Sequence, residues 1–164
     1  MLLDLRGIIE VPGKRIDFDR DIESDVLDFD SVRAFLSPLH AKGCVANEAG
    51  VLHLRGEAAA DLLCICDRCG EAFESEKITK LEAVITEEPA EDDPGFFCLH
   101  DDGIDLDEAV STCFILDMET KFLCREDCKG ICPGCGVDLN TGTCKCKKQI
   151  DPRFAVLEQL LDKD

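Results

Sequence analysis

Residues 124 to 146 read CREDCKGICPGCGVDLNTGTCKC, and six of those positions are cysteine. A segment this short and this rich in thiols has two ways to hold a shape, covalent cross-links or a bound metal. The spacing favours metal. Four thiolates around a tetrahedral ion have to be presented in pairs, each pair on one short turn. Cys66-Asp-Arg-Cys69 is one such pair, and Cys132-Pro-Gly-Cys135, followed by Gly136, is a sharper one. In the latter Pro133 pre-sets the turn, while Gly134 and Gly136 leave backbone N–H groups free to point at sulfur. Cys124 with Cys128, and Cys144 with Cys146, complete eight candidate ligands, enough for two structural zinc ions.

Two divisions of these eight are open. In one, Cys132, Cys135, Cys144 and Cys146 close on themselves within a short loop, and Cys66 and Cys69 meet Cys124 and Cys128. In the other, Cys124, Cys128, Cys132 and Cys135 share an ion, leaving Cys66, Cys69, Cys144 and Cys146 together. Local closure favours the first, because a short loop costs less chain entropy. The remaining thiols, Cys44, Cys64, Cys98 and Cys113, read as small core or loop residues. Cys64 would share a strand face with Cys66, two positions on.

No apolar run reaches the ~20 residues a membrane span needs. The opening MLLDLRGIIEVPGKRIDF places Asp4 and Arg6 where a signal peptide would be uninterrupted and apolar. The expectation is a cytoplasmic protein without membrane contact, in a compartment where thiols stay reduced and bind metal before they form disulfides. The net charge of −18 is uneven. Residues 81–120 hold 13 acidic side chains and no Lys or Arg, whereas residues 121–149 carry 6 basic against 3 acidic ones. An acidic body repels phosphate backbones and attracts basic partners. Lys145, Lys147 and Lys148, beside the last cysteine pair, are candidate RNA contacts; offsetting the negative charge of the thiolates is an equally good use for them.

The chain before residue 87 reads mostly as strand. KRIDFDRDI alternates, LHAKGCVANEAGVLHLRGEAAADLLCIC suggests two strands turning at Asn47 to Gly50, and AFESEKITKLEAVIT suggests a third with broken alternation. FDSVRAFL reads as a short helix, and the proline-containing acidic stretch 87–103 as a solvated loop. Asp105 caps a helix over about 105–116, with Glu108 at its third position and Leu106, Ala109, Val110, Cys113 and Phe114 on one face. Asp151-Pro152 opens a last helix. The fold expected is α+β, an antiparallel β-sheet domain with two helices and a C-terminal cysteine-rich zinc-binding module: an acidic β-rich domain with the capped helix over residues 1–120, the zinc-binding module over 121–149, and a C-terminal helix over 150–164.

Chemistry beyond structure is hard to find. His40, His53 and His100 stand outside any metalloenzyme pattern, and four thiolates leave an ion no open position for water. CDRC lacks the βαβ surround of a redox motif. There is no phosphate-binding glycine loop and no nucleophile elbow. A non-enzymatic protein is expected.

The order CDRCGEAF (66–73), IDLDEAV (104–110), CKGICPGCGVDLN (128–140), CKC (144–146) and DPRFAVLEQL (151–160) resembles the YceD-like family, bacterial and plastid proteins associated with accumulation and processing of 23S ribosomal RNA. The resemblance implies an accessory role in ribosome biogenesis. With the acidic charge, it points to basic ribosomal or assembly proteins as partners. Direct binding of 23S rRNA through the basic zinc module is the alternative.

Overall fold

The computed structural model describes residues 2–23, 29–87 and 95–146. Their strands are β1 (Leu2–Asp4), β2 (Arg15–Ile22), β3 (Val32–Phe35), β4 (Leu39–Glu48), β5 (Val51–Ile65), β6 (Ala72–Thr86), β7 (Phe96–Cys98) and β8 (Gly103–Asp105). One helix, α1 (Leu106–Leu116), comes after them. The larger sheet runs β2-β4-β5-β6-β7, with β3 pairing β5, and β1 pairs with β8 in a separate ribbon. Every pairing is antiparallel except β6 with β7.

The hairpin between β4 and β5 turns on Ala49 and Gly50, whose φ angles of 55° and 95° are what a two-residue primed turn needs. Asn47 fixes its base. This buried side chain donates to the carbonyls of Ile8 and Ile9 at 2.8 and 2.7 Å and accepts from the Gly50 N–H at 2.8 Å.

Period-two alternation then organises the core. Along β5, Leu52, Leu54, Ala58, Ala60, Leu62 and Cys64 all face inward. On β6 the inward residues are Lys77, Thr79, Leu81, Ala83 and Ile85. Ala60 and Ala58 stand opposite Lys77 and Thr79. α1 lies against β6 and inserts Leu106, Ala109, Val110 and Phe114, each with no exposed surface. Burying a side chain such as Phe114 or Leu106 stabilises by roughly 1.5–3 kcal/mol. The Asp105 side chain caps the helix, accepting from the N–H groups of Asp107 and Glu108 at 3.1 and 3.2 Å.

The other end of α1 has no basic residue of its own. Lys77 reaches it from the sheet. Its Nζ donates to the Asp117 carbonyl at 2.5 Å and lies 2.9 and 3.0 Å from the Asp117 and Glu119 carboxylates. A cation there complements the helix dipole. Burial works against the Lys77 charge, but its hydrogen bonds to those two carboxylates outweigh it and raise its pKa.

Four expectations need correcting. The described residues are mostly β with a single helix, so an α+β fold with two helices does not describe them; the helix expected from Asp151 lies outside the described residues. FDSVRAFL contributes strand β3, because β5 extends beyond the end of β4 and leaves an edge for a strand to fill: Ile65 N–H donates to Ser31 O, and Leu36 N–H to Asp61 O. The loop expected over 87–103 gives way at Phe96–Cys98 to β7. The alternation of β6 is itself unbroken; Lys77 faces in and Ile78 faces out, 56% exposed, which is why the sequence pattern looked irregular. Among the described residues no helix is long and apolar enough to cross a membrane.

Candidate metal centre

β5 ends at Ile65, and the inward face it has kept since Leu52 is continued by Cys66, which is 1% exposed. There the chain reverses. Cys66 N–H donates to the Glu71 carbonyl at 2.9 Å, Gly70 N–H returns to the Cys66 carbonyl at 2.8 Å, and Gly70 takes a φ of 73° that favours glycine. The second turn repeats this geometry. Cys132 N–H donates to Val137 O and Gly136 N–H to Cys132 O, both at 2.8 Å, with Gly136 at a φ of 72°. CxxCG is therefore one knuckle built twice.

The knuckles gather different partners. Cys66, Cys69, Cys124 and Cys128 form one group and Cys132, Cys135, Cys144 and Cys146 another, the sulfurs of each lying within 4.8 Å of one another. Each group could hold a metal ion. Four thiolates bound at ~2.3 Å to a tetrahedral ion stand about 3.8 Å apart. In the first group Cys66 to Cys128 is 3.8 Å and Cys69 to Cys124 is 3.7 Å. In the second, Cys135 to Cys144 is 3.5 Å and Cys132 to Cys144 is 3.2 Å, somewhat tighter. All twelve cysteines are free. Of the four outside the groups, Cys64 is buried and Cys44, Cys98 and Cys113 are partly so.

Polar neighbours shape the sulfurs. Burial would raise the Cys66 thiol, but the backbone N–H groups of Cys124, Cys69 and Arg68 outweigh it and hold the thiol at about 6. Its neighbour Cys124 is pushed up to about 12 by burial and by the Cys69 and Cys66 sulfurs. The second group has the same contrast. Cys132 is lowered to about 6 by the Cys144 side chain and by the N–H groups of Cys135 and Gly134, and Cys146 is pushed up to about 12 by Cys144 and Cys135. In each group two thiols are thus held above the ordinary value by the sulfurs beside them, a repulsion that a bound cation would relieve.

The spacer residues contribute contacts that spacing alone does not reveal. Asp67 N–H donates to the Phe122 carbonyl at 2.9 Å, and its carboxylate accepts from Phe122 N–H at 2.6 Å and the Ser31 hydroxyl at 2.7 Å. Arg68 donates from Nη1 to the Cys128 carbonyl at 2.7 Å, and its own carbonyl accepts from Ile131 N–H at 3.0 Å. Gly130, at a φ of 73°, packs so closely that a Cβ there would meet the Arg68 carbonyl oxygen at 2.7 Å. Asn140 joins the two groups: its side-chain oxygen accepts from Lys129 N–H at 2.8 Å and its amide lies 3.5 Å from the Cys128 sulfur. Of the two glycines expected to offer N–H groups to sulfur, Gly134 does so, 3.4 Å from Cys132 Sγ, whereas Gly136 donates to a carbonyl. Lys145 is exposed beside the second group; Lys147 and Lys148 lie outside the described residues.

The model of one protein family, described as large ribosomal RNA subunit accumulation protein YceD, matches residues 54–161, more than half of the chain. Uncharacterized proteins of Mycobacterium bovis and Mycobacterium tuberculosis are 39% identical over 61 residues, covering 37% of this chain and 30% of theirs. The chain thus aligns with about a third of the length of these relatives. No solved structure matches.

Proposed function

The chain belongs to the YceD family, and on that premise we propose that it is a non-enzymatic accessory protein of large-subunit ribosome biogenesis, cytoplasmic and held in shape by two zinc ions. The observation carrying this reading is the first cysteine group. It draws its ligands from the end of β5 and from the segment after α1, 55 and 62 residues apart in the chain. An ion there clasps that later segment to the sheet. Zinc suits a four-thiolate tetrahedron without redox chemistry, and the 3.7 and 3.8 Å sulfur separations of this group agree with its bond lengths.

The work such a scaffold would do is electrostatic. Acidic residues stand on the outer face of the sheet, among them Asp17, Asp19 and Asp21 on β2 and Glu74, Glu76 and Glu82 on β6, all exposed. Ribosomal proteins carry strongly basic segments, and a net charge of −18 would attract them before rRNA takes over. The test is retention of large-subunit ribosomal or assembly proteins on the immobilised chain at graded salt. Retention should weaken as salt rises and as those carboxylates are reversed to lysine. Retention indifferent to both would overturn the reading.

Direct RNA binding has less support among the described residues. Arg68 is committed to the Cys128 carbonyl and Arg125 lies 3.5 Å from Asp127, so the segment offers Lys121, Lys129 and Lys145 as exposed cations against a net charge of −18. A salt-sensitive mobility shift of 23S rRNA fragments, lost when Lys121, Lys129 and Lys145 are together replaced by Ala, would reverse this preference.

A further inference from the structure

We propose that Cys132, Cys135, Cys144 and Cys146 form an exchangeable metal site, which takes up and releases a thiophilic divalent ion while the Cys66, Cys69, Cys124 and Cys128 site keeps its own. This rests on the zinc reading and adds a division of labour to it.

The first ground is access. In the first group Cys66 and Cys128 are 1% and 2% exposed, and Cys69 and Cys124 are partly buried. In the second group Cys135 and Cys146 are exposed, Cys144 is half-buried, and only Cys132 is buried. A competing chelator or thiol removes an ion by replacing sulfurs one at a time, so it has to reach the ion's coordination shell. Two cysteines of the second group are exposed residues, against none of the first.

The second ground is what becomes of a sulfur once it lets go. Around the first group the chain is fastened by other bonds: Asp67 to Phe122 through both N–H and carboxylate, Arg68 to Cys128, and Ile131 to Arg68. A detached Cys66 or Cys128 stays within reach and rebinds, because its effective concentration remains high. The CxC arm differs. Among the described residues, Cys144 to Cys146 meet the knuckle through sulfur: Cys144 lies 3.2 Å from Cys132 and 3.5 Å from Cys135, and a Cβ on Gly134 would stand 3.4 Å from the Cys146 sulfur. The Cys146 N–H donates to Cys144 Sγ, again a bond to sulfur. With the ion gone, these sulfur contacts lose their centre, and a released sulfur leaves with its chain. The knuckle itself persists through its own backbone bonds, so the empty site is ready to refill.

Differences in the shell around metal ligands change affinity by about 10–100-fold, and the separation expected here is at least of that order. The experiment uses the full chain as isolated, with its metal content measured, and a colorimetric zinc chelator in excess. One equivalent should leave at least about ten-fold faster than the other. Brief iodoacetamide labelling during the fast phase, followed by peptide mass spectrometry, should mark Cys135, Cys144 and Cys146 ahead of Cys66 and Cys128. Circular dichroism of the sheet should not change meanwhile. The variant Cys144→Ser/Cys146→Ser should retain one equivalent, lack the fast phase and keep the slow one. Two equivalents leaving at one rate, early labelling of Cys66 and Cys128, or a fast phase that survives in the variant would each overturn the inference while leaving the zinc reading intact. A folded chain isolated without metal would overturn that reading, and this inference with it.

Discussion

The knuckles at Cys66–Gly70 and Cys132–Gly136 share a backbone and differ in their spacers. Asp67 stands where Pro133 stands, and Arg68 where Gly134 stands. Asp67 has an N–H that Phe122 accepts, and a carboxylate that Phe122 and Ser31 donate to; proline has neither group. Arg68 reaches the Cys128 carbonyl, while Gly134 turns its N–H onto the Cys132 sulfur within its own loop. The ligands make the two turns alike, and the spacers make one a clasp and the other self-contained. On the inference above, the same CxxCG would be structural in one place and exchangeable in the other, and the residues between its cysteines are part of the reason.

The largest effect is expected from deleting one ligand on each side. Cys128→Ser leaves a buried position, 2% exposed, with an incomplete shell and no ion to hold α1's trailing segment to β5. Loss of a structural metal site is among the few single changes that exceed about 4 kcal/mol. Urea unfolding of Cys128→Ser should show a loss of that order, together with loss of one zinc equivalent. Cys144→Ser should lose its equivalent and leave the midpoint of the sheet's unfolding nearly unchanged. Equal losses from the two would erase the distinction between clasp and self-contained site.

Gly130→Ala probes the packing of the clasp rather than its ion. A methyl there meets the Arg68 carbonyl at 2.7 Å, and the φ of 73° is already unfavourable for alanine. The left-handed conformation costs about 1–2 kcal/mol, and displacing Arg68 adds to it, so a total of roughly 2–3 kcal/mol is expected by urea unfolding. A cost below about 1 kcal/mol would mean that Arg68 yields freely and is no clasp.

These contrasts were only partly legible in the sequence. Spacing named eight candidate ligands, and chain entropy preferred the grouping in which their sulfurs lie, since CxxC and CxC signals are short-range. The cap at Asp105 was legible for the same reason. Burial of Cys66 was within reach too: the inward residues Leu52 to Cys64 share one parity, and Cys66 continues it. The clasp was not. Asp67 and Phe122 are 55 residues apart, and nothing local in CDRC says whether its spacers face solvent or protein. β3 failed for a related reason. Phe29, Val32 and Phe35 recur at helical spacing, and a short apolar run does not reveal its period until a partner strand selects it; here the free edge of β5 did. Lys77 misled by type, because a lysine in a strand is read as outward unless a carbonyl and two carboxylates wait for it inside.

Smaller, and diagnostic through equality, are Gly70→Ala and Gly136→Ala. Both residues have φ near 72°, and a Cβ at either would meet nothing within 4 Å. Without contact terms the cost is conformational alone, about 1 kcal/mol each. Metal release, followed for each site separately, should quicken by the same factor in both. A larger effect at Gly70 would show that the surroundings of the first knuckle strain its backbone as well as dock it.

The smallest effect concerns the Asp67 carboxylate. The Ser31 hydroxyl and then the Phe122 N–H hold its pKa below the usual carboxylate value. A depressed carboxyl contributes stability that is present above the unfolded value, near about 3.9, and that disappears as pH falls through the folded value. Asp67→Asn should therefore unfold slightly more easily than the parent chain at pH 7, because an amide cannot accept from both donors through equivalent oxygens. The gap should narrow on acidification as the parent's own carboxylate takes up a proton. Acid also strips thiolate-bound metal from both chains, so the difference between their urea midpoints carries the test. A gap that stays constant from neutral to acid pH would assign the loss to packing at residue 67 and remove the charge from the account of the clasp.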